Sequence, residues 1–173
     1  VQWGLNRFKI MSTSKNTSKL LEELNVFYEN CPFHSDEYTK KKFKDNFNFE
    51  IDKKYKLKRL ASGSIAQVYL LEDYETGIKY AMKVVHPEIN NKIYISKIFF
   101  KFLFCINSYI SKFNISFDLT NFFLSIEEQI NLCNEANYIS KFYNKYENNE
   151  YIVIPKVIKY CSDIIIMTYE EGI

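Results

Sequence analysis

The stretch 60-LASGSIAQVYLL-71, followed after a short turn by 78-IKYAMKVVHP-87, decides how the rest of the chain is read. Around it the hydrophobic signal alternates, which predicts strands over about 55-YKLKRL-60, 65-IAQVYLLE-72 and 78-IKYAMKVV-85, with 73-DYETG-77 as the turn before the third. Alternate residues of a strand share a face, so Ala81, Lys83 and Val85 point one way and Tyr80, Met82 and Val84 the other. A lone ammonium inside an apolar strand asks for an anionic partner. The plainer reading is a lysine that snorkels from the sheet to water.

The chain has 173 residues, 47% of them hydrophobic, which suits one domain or somewhat more with a packed core. A formal charge of +2 gives no electrostatic case for nucleic acid, and the lysine clusters 40-KKKFK-44 and 53-KKYKLK-58 read as solvated faces. Four cysteines, Cys31, Cys105, Cys133 and Cys161, show no Cys-x-x-Cys spacing, and the two histidines, His34 and His86, lie far from them in sequence. This predicts buried, reduced thiols in an intracellular protein, with no zinc or other metal site and no disulfide frame. The apolar run 93-IYISKIFFKFLFCINSYI-110 is interrupted by Lys97 and Lys101, so it reads as an amphipathic helix and not as a membrane span. With its acidic end 170-EEGI-173, the chain is expected to be a fragment of a longer protein.

Outward from the strands, helical periodicity covers 17–30, and a second helix is predicted through 38-YTKKKFKDNF-47 with Ser35 as N-cap. Residues 1–48 thus form a helical extension. Residues 88–147 read as helical with a break near 114-NISFD-118, the last helix running from about 124 to 146. Two further strands are expected over 151-YIVIPKVIKY-160, interrupted by Pro155, and 163-DIIIMTYE-170.

Counting back from Val68, residues Ala66, Gly63 and Ala61 occupy the glycine positions of the kinase pattern G-x-G-x-x-G-x-V. Ala61, Ser62, Gly63, Ser64 and Ala66 are small and, with Ile65 between them, form a loop whose backbone N–H groups could approach a phosphate, alanine making it stiffer than an all-glycine one. The plainer alternative is an ordinary strand-entry turn. Two strand positions before Lys83, Ala81 offers the small surface that an adenine needs. Glu135 is flanked at helical spacing by Leu132, Ile139 and Phe142, so its carboxylate sits on an apolar stripe and asks for a cation. Lys83 and Glu135 are therefore the candidate catalytic pair, equivalent to the lysine and helix-C glutamate of kinases. The plainer reading of Glu135 is an exposed residue at the edge of the stripe. At the chain end, Met167 would stand near a gatekeeper position and Glu170 at the hinge that meets adenine.

The runs 61-ASGSIAQVY-69, 81-AMKVVHPEI-89 and 129-QINLCNEANYISKF-142, with 155-PKV-157, resemble the UbiB family, the aarF-domain-containing or ADCK atypical kinases. The alanine-containing loop and His86-Pro87 are the most specific parts of the resemblance, which runs from Val1 to Ile173. By it, Val1 to Gly4 would be the tail of the family's K-x-G-Q helix, with Gln2 as the glutamine and Val1 replacing the glycine. Six and four residues before the helix glutamate, family members carry E-x-D or Q-x-D. Here Gln129 and Asn131 stand there, uncharged and still able to hydrogen-bond.

The fold expected is α+β: a protein-kinase-like N-lobe over 49–173, with a five-stranded antiparallel sheet, helix C and a helical insert at about 88–123, preceded by the extension and lacking a C-lobe. The resemblance implies an ATP-binding lobe of an atypical kinase or ATPase in which Ala61 to Ala66 and Val68 cover the phosphates and Lys83 contacts them. It implies ATP and Mg²⁺ as cofactors, the metal ligands lying in the missing C-lobe, so that this segment alone is catalytically silent. It also implies a link to ubiquinone biosynthesis or other isoprenoid lipids, a possible membrane surface as partner, and a mitochondrial or plastid location. The alternative is a non-catalytic pseudokinase or scaffold of the same fold, which the two uncharged residues favour. An unrelated α+β binding domain is the remaining reading.

Overall fold

The structure, a computed structural model, describes residues 31–110 and 119–171. The helix expected over 17–30, Gln2, the break near 114–118 and Gly172 lie outside the described residues.

Helix α1 (Asp36–Phe47) starts where the sequence predicts. Ser35 is its N-cap, its hydroxyl accepting from the Tyr38 N–H at 3.3 Å, and Asp36 and Glu37 complement the dipole in the first turn. It ends on Asn48 at φ 60°, a left-handed cap that asparagine tolerates, with the Asn48 N–H donating to the Lys44 carbonyl at 2.8 Å. A single 3₁₀ turn (Ile51–Lys53) leads into the sheet.

Strands β1 (Tyr55–Ser62), β2 (Ala66–Asp73) and β3 (Lys79–Val85) form a meander, and β4 (Val157–Tyr160) and β5 (Ile164–Thr168) complete an antiparallel sheet in the order β1-β2-β3-β5-β4. The β2–β3 turn is closed by Asp73, whose carboxylate accepts from the N–H groups of Glu75 and Thr76 at 2.9 and 3.1 Å, and by Gly77 at φ 67°. Residues 151–156, read from sequence as part of the fourth strand, are irregular. Pro155 has no N–H to give a ladder, and pairing begins only at Val157.

Between β3 and β4 lie helices α2 (Ile89–Ile110), α3 (Leu119–Ile130) and α4 (Leu132–Tyr146). The sequence reading of one helix from about 124 to 146 is corrected here, because the chain breaks at Asn131. Its side-chain oxygen accepts from the Cys133 N–H at 3.1 Å, making it the N-cap of α4, while the Leu132 N–H turns to the Ser162 carbonyl at 2.9 Å. No helix among the described residues is long and apolar enough to cross a membrane.

Both faces of the sheet are covered, by different elements. On one, Phe43 of α1 packs with Tyr69, Leu71, Met82, Val84, Ile164 and Ile166. On the other, Val85 and Ile165 meet Ile130 at the end of α3 and Leu132 and Ala136 at the start of α4. The division between Met82 and Val84 on one side and Val85 on the other is the one that strand alternation predicts.

Candidate functional site

Register alone gathers the candidate residues on the α4 side of the sheet. Directly opposed residues of an antiparallel pair share a face. Val68 of β2 and Ile165 of β5 flank Lys83, and Leu70 and Met167 flank Ala81. Lys83 is thus an ammonium on an apolar floor that has its smallest side chain two positions away. Its Nζ lies 2.6 Å from Glu135 Oε2 of α4, a charge-assisted hydrogen bond between residues 52 apart in sequence.

The two side chains retain 28% and 33% of their exposure, so the pair is reached by solvent and does not lie in the core. Of the flanking residues that define the stripe, Leu132 is buried and Ile139 half-buried, but Phe142 is 52% exposed. The apolar stripe therefore holds Glu135 at its base and opens to solvent toward the C-terminal end of α4. Gln129 is exposed, and Asn131 spends its side-chain oxygen on capping the helix that carries Glu135.

The loop between β1 and β2 is tight. The Gly63 N–H donates to the Ala66 carbonyl at 3.0 Å, and no residue from Ala61 to Ala66 has positive φ. Glycine is therefore not needed at 63 for its left-handed freedom, and a Cβ built there would meet only the Ala66 oxygen at 3.6 Å. That is how alanine serves in a loop whose pattern elsewhere calls for glycine. From beneath, the His86 N–H donates to the Ile65 carbonyl at 2.9 Å, and His86 Nε2 lies 2.8 Å from the Gly63 carbonyl. Ser62 is buried, its carbonyl accepting from the Cys31 N–H at 3.2 Å and its hydroxyl donating to the Pro32 carbonyl at 3.3 Å.

Some sequence-derived expectations are corrected: none of the four thiols is fully buried, Cys105 being exposed and Cys31, Cys133 and Cys161 half-buried. Glu170 is exposed, its carboxylate accepting from the Thr168 hydroxyl at 2.7 Å. It lines a cavity of about 270 Å³ with Tyr143, Tyr146, Glu147 and Ile152 at the far end of α4, and Lys83 is not among the lining residues. Helix α1 covers the sheet face opposite Lys83. Sequence reasoning gave His34 no role and treated His86 only as part of a family marker; the structure makes both part of the support for the loop.

The donor set fits a nucleotide: an accessible ammonium oriented by a carboxylate suits phosphate, and Ala81 between Leu70 and Met167 suits a planar apolar base. Among the described residues no group of three or more His, Cys, Asp or Glu side chains converges as a metal site.

A five-stranded antiparallel sheet with its lysine on β3 and an ion-paired glutamate on the helix behind defines a kinase-like N-lobe. The chain belongs to the ABC1 atypical kinase-like domain family, whose model matches residues 26–173. The resemblance carried by the loop and His86-Pro87 is borne out. The chain is 24% identical over 164 residues to a probable serine/threonine-protein kinase, abkC, of Dictyostelium discoideum, covering 88% of this chain and 23% of that protein. Among solved structures it is similar to Rv3197 of Mycobacterium tuberculosis, determined in complex with erythromycin, with a TM-score of 0.60 and 15% identity over 100% of this chain and 44% of that one. The chain thus spans less than half the length of either.

Proposed function

We propose that this chain supplies the ATP-binding N-lobe of an atypical kinase or ATPase, residues 49–173 forming the lobe up to its hinge and residues 1–48 a helical extension. The observation that carries this reading is the 2.6 Å contact between Lys83 and Glu135 on the sheet face that also presents Ala81, Val68 and Met167. In it Lys83 holds the α- and β-phosphates, Glu135 keeps the ammonium aimed, and backbone groups from Ala61 to Ala66 close over the phosphates. Ala81 and Met167 receive the base, and backbone near Glu170 receives its edge. Bound Mg-ATP would supply a transferable phosphoryl group. The base and metal ligands for transfer are expected outside residues 1–173.

The test is stabilisation by Mg-ATP of the full-length protein, wild type against Lys83→Ala. Stabilisation of the wild type, lost in the variant, is expected; an equal response in both would remove Lys83 from the site.

A second reading, a non-catalytic pseudokinase or scaffold of the same fold, is favoured by Gln129 and Asn131 in place of carboxylates, and by the use of Asn131 as a helix cap. Nucleotide binding without turnover in the full-length protein would select it. The exposed apolar row Tyr94, Ile95, Ile98 and Phe102 of α2 is compatible with the isoprenoid-lipid or membrane partner implied by the family, and no more than that.

A further inference from the structure

Beneath the β1–β2 loop runs a chain of polar contacts that ends on helix α1. His86 Nε2 meets the Gly63 carbonyl at 2.8 Å, His86 Nδ1 meets His34 Nδ1 at 2.8 Å, and His34 Nε2 meets the Thr39 hydroxyl at 2.8 Å. Thr39 meets the Tyr69 hydroxyl at 2.8 Å, and Tyr69 donates to Asp36 Oδ1 at 3.1 Å, which also accepts from Arg59 Nε at 2.8 Å.

Protons can be counted along it. A carbonyl oxygen stands at one end and a carboxylate at the other, and both only accept. Five links from Gly63 to Asp36 need five hydrogens, whereas two neutral imidazoles and two hydroxyls carry four. A neutral chain therefore leaves one link as two facing lone pairs.

Asp36 does not hold the missing proton, because the Arg59 hydrogen bond keeps its carboxyl below the ordinary range. Tyr69 keeps its own, its phenol pushed up to about 12 by burial. His34 is the neutral ring, lowered to about 4 first by burial and then by the charge of His86. With His86 as imidazolium every link is filled. It donates to Gly63 and to His34, His34 Nε2–H donates to Thr39, Thr39 to Tyr69, and Tyr69 to Asp36. Ser62 agrees with this assignment, since its own hydrogen goes to Pro32 while its oxygen lies 3.5 Å from His86 Nε2. The titratable or charged groups against the two rings are Asp36 and Tyr38 of α1, Arg59 of β1 and Tyr69 of β2.

We propose that His34 and His86 form a latch carrying one extra proton, which positions the Ala61–Ala66 loop by tying the Gly63 carbonyl to helix α1. Its link to nucleotide binding rests on the reading of that loop as the phosphate cover. Loss of the proton breaks one link and loosens the hold on the Gly63 carbonyl, while the backbone bonds of Ser62 and Ile65 remain; protonation of His34 as well sets two N–H groups against each other and also breaks the latch. The extension is thereby coupled to the loop, although α1 lies on the face opposite Lys83.

The test is ¹⁵N NMR of the full-length protein labelled in histidine, with His34→Gln and His86→Gln assigning the rings. At about pH 6, below the ordinary histidine value, the expected spectrum has one imidazolium at His86, one Nε2–H neutral ring at His34, and a scalar coupling between the two Nδ1 atoms across the hydrogen bond. Two neutral rings, or no coupling, overturn the latch. Mg-ATP affinity gives the functional arm: at about pH 6 the Kd of Thr39→Val should be about five-fold above that of the wild type, the worth of one hydrogen bond. An unchanged Kd in Thr39→Val overturns the coupling to α1. A wild type that shows the coupling but binds no nucleotide overturns the nucleotide reading and leaves the latch in place.

Discussion

On the α1 face of the sheet, Phe43, Tyr69, Leu71, Met82, Val84 and Ile164 have no exposed surface. On the α4 face, Lys83 and Glu135 retain 28% and 33% of theirs. The first is closed by a helix joined to the sheet through ring packing and through Lys42, whose ammonium lies 2.8 Å from Asp163. The second is closed around Ile130, Leu132 and Ala136, with Ile89, Ile93 and Ile126 packed against them, and stays partly exposed at Lys83 and Glu135. With the proposed function, the difference gives stability to one face and ligand response to the other. Substitutions on the α1 face should be read in melting curves, those on the α4 face in ligand response.

The sharpest break of that division is Phe43→Ala. Removing a ring with no exposure should destabilise the protein by about 3–5 kcal/mol, measured by denaturant unfolding. A loss below about 1 kcal/mol would mean that α1 is not a structural part of the sheet.

Next in size is a pH effect from the same face. Because the folded state keeps His34 neutral down to about 4, the unfolded chain binds the proton first as pH falls. Stability from this group is therefore present above about 6.5 and is lost progressively as pH drops to about 4, by up to roughly 3 kcal/mol. Urea midpoints across that range should fall in the wild type and fall less in His34→Gln; parallel curves would contradict the burial of a neutral ring.

On the open face, Lys83→Ala should cost about 1 kcal/mol of stability or less, since a half-exposed ion pair contributes little, while the thermal response to Mg-ATP is lost. The smallest effect is expected from Gly63→Ala. Its φ is unexceptional and its Cβ space is open, so stability should stay equal or rise by about 0.4–1 kcal/mol through the unfolded chain. A clear loss would show that the loop needs glycine after all.

Much of this was legible in the sequence because it is local. Ser35 before Asp36 and Glu37 announces a helix start, alternation fixes the faces of β2 and β3, and the spacing of Ala81 and Lys83 needs only strand geometry. Glu135 could be chosen because an apolar stripe around a carboxylate demands a cation, whichever element supplies it. What could not be read depends on partners distant along the chain. Asn131 lies within a helical pattern, but the Leu132 N–H is drawn to Ser162, 30 residues on, and the helix restarts there. His34 and His86 are 52 residues apart, and neither sits in a spacing that predicts an imidazole pair. Proton counting along a buried network requires the network.

The central claim is that Lys83 binds phosphate because Glu135 aims it. It is tested most directly by a double-mutant cycle on Mg-ATP affinity in the full-length protein, with Lys83→Met, Glu135→Gln and the double variant. The account predicts strong non-additivity, the second substitution costing almost nothing once the first is made, with a coupling on the order of 1–3 kcal/mol. Independent, fully additive losses would contradict it, because the two residues would then act on the nucleotide separately.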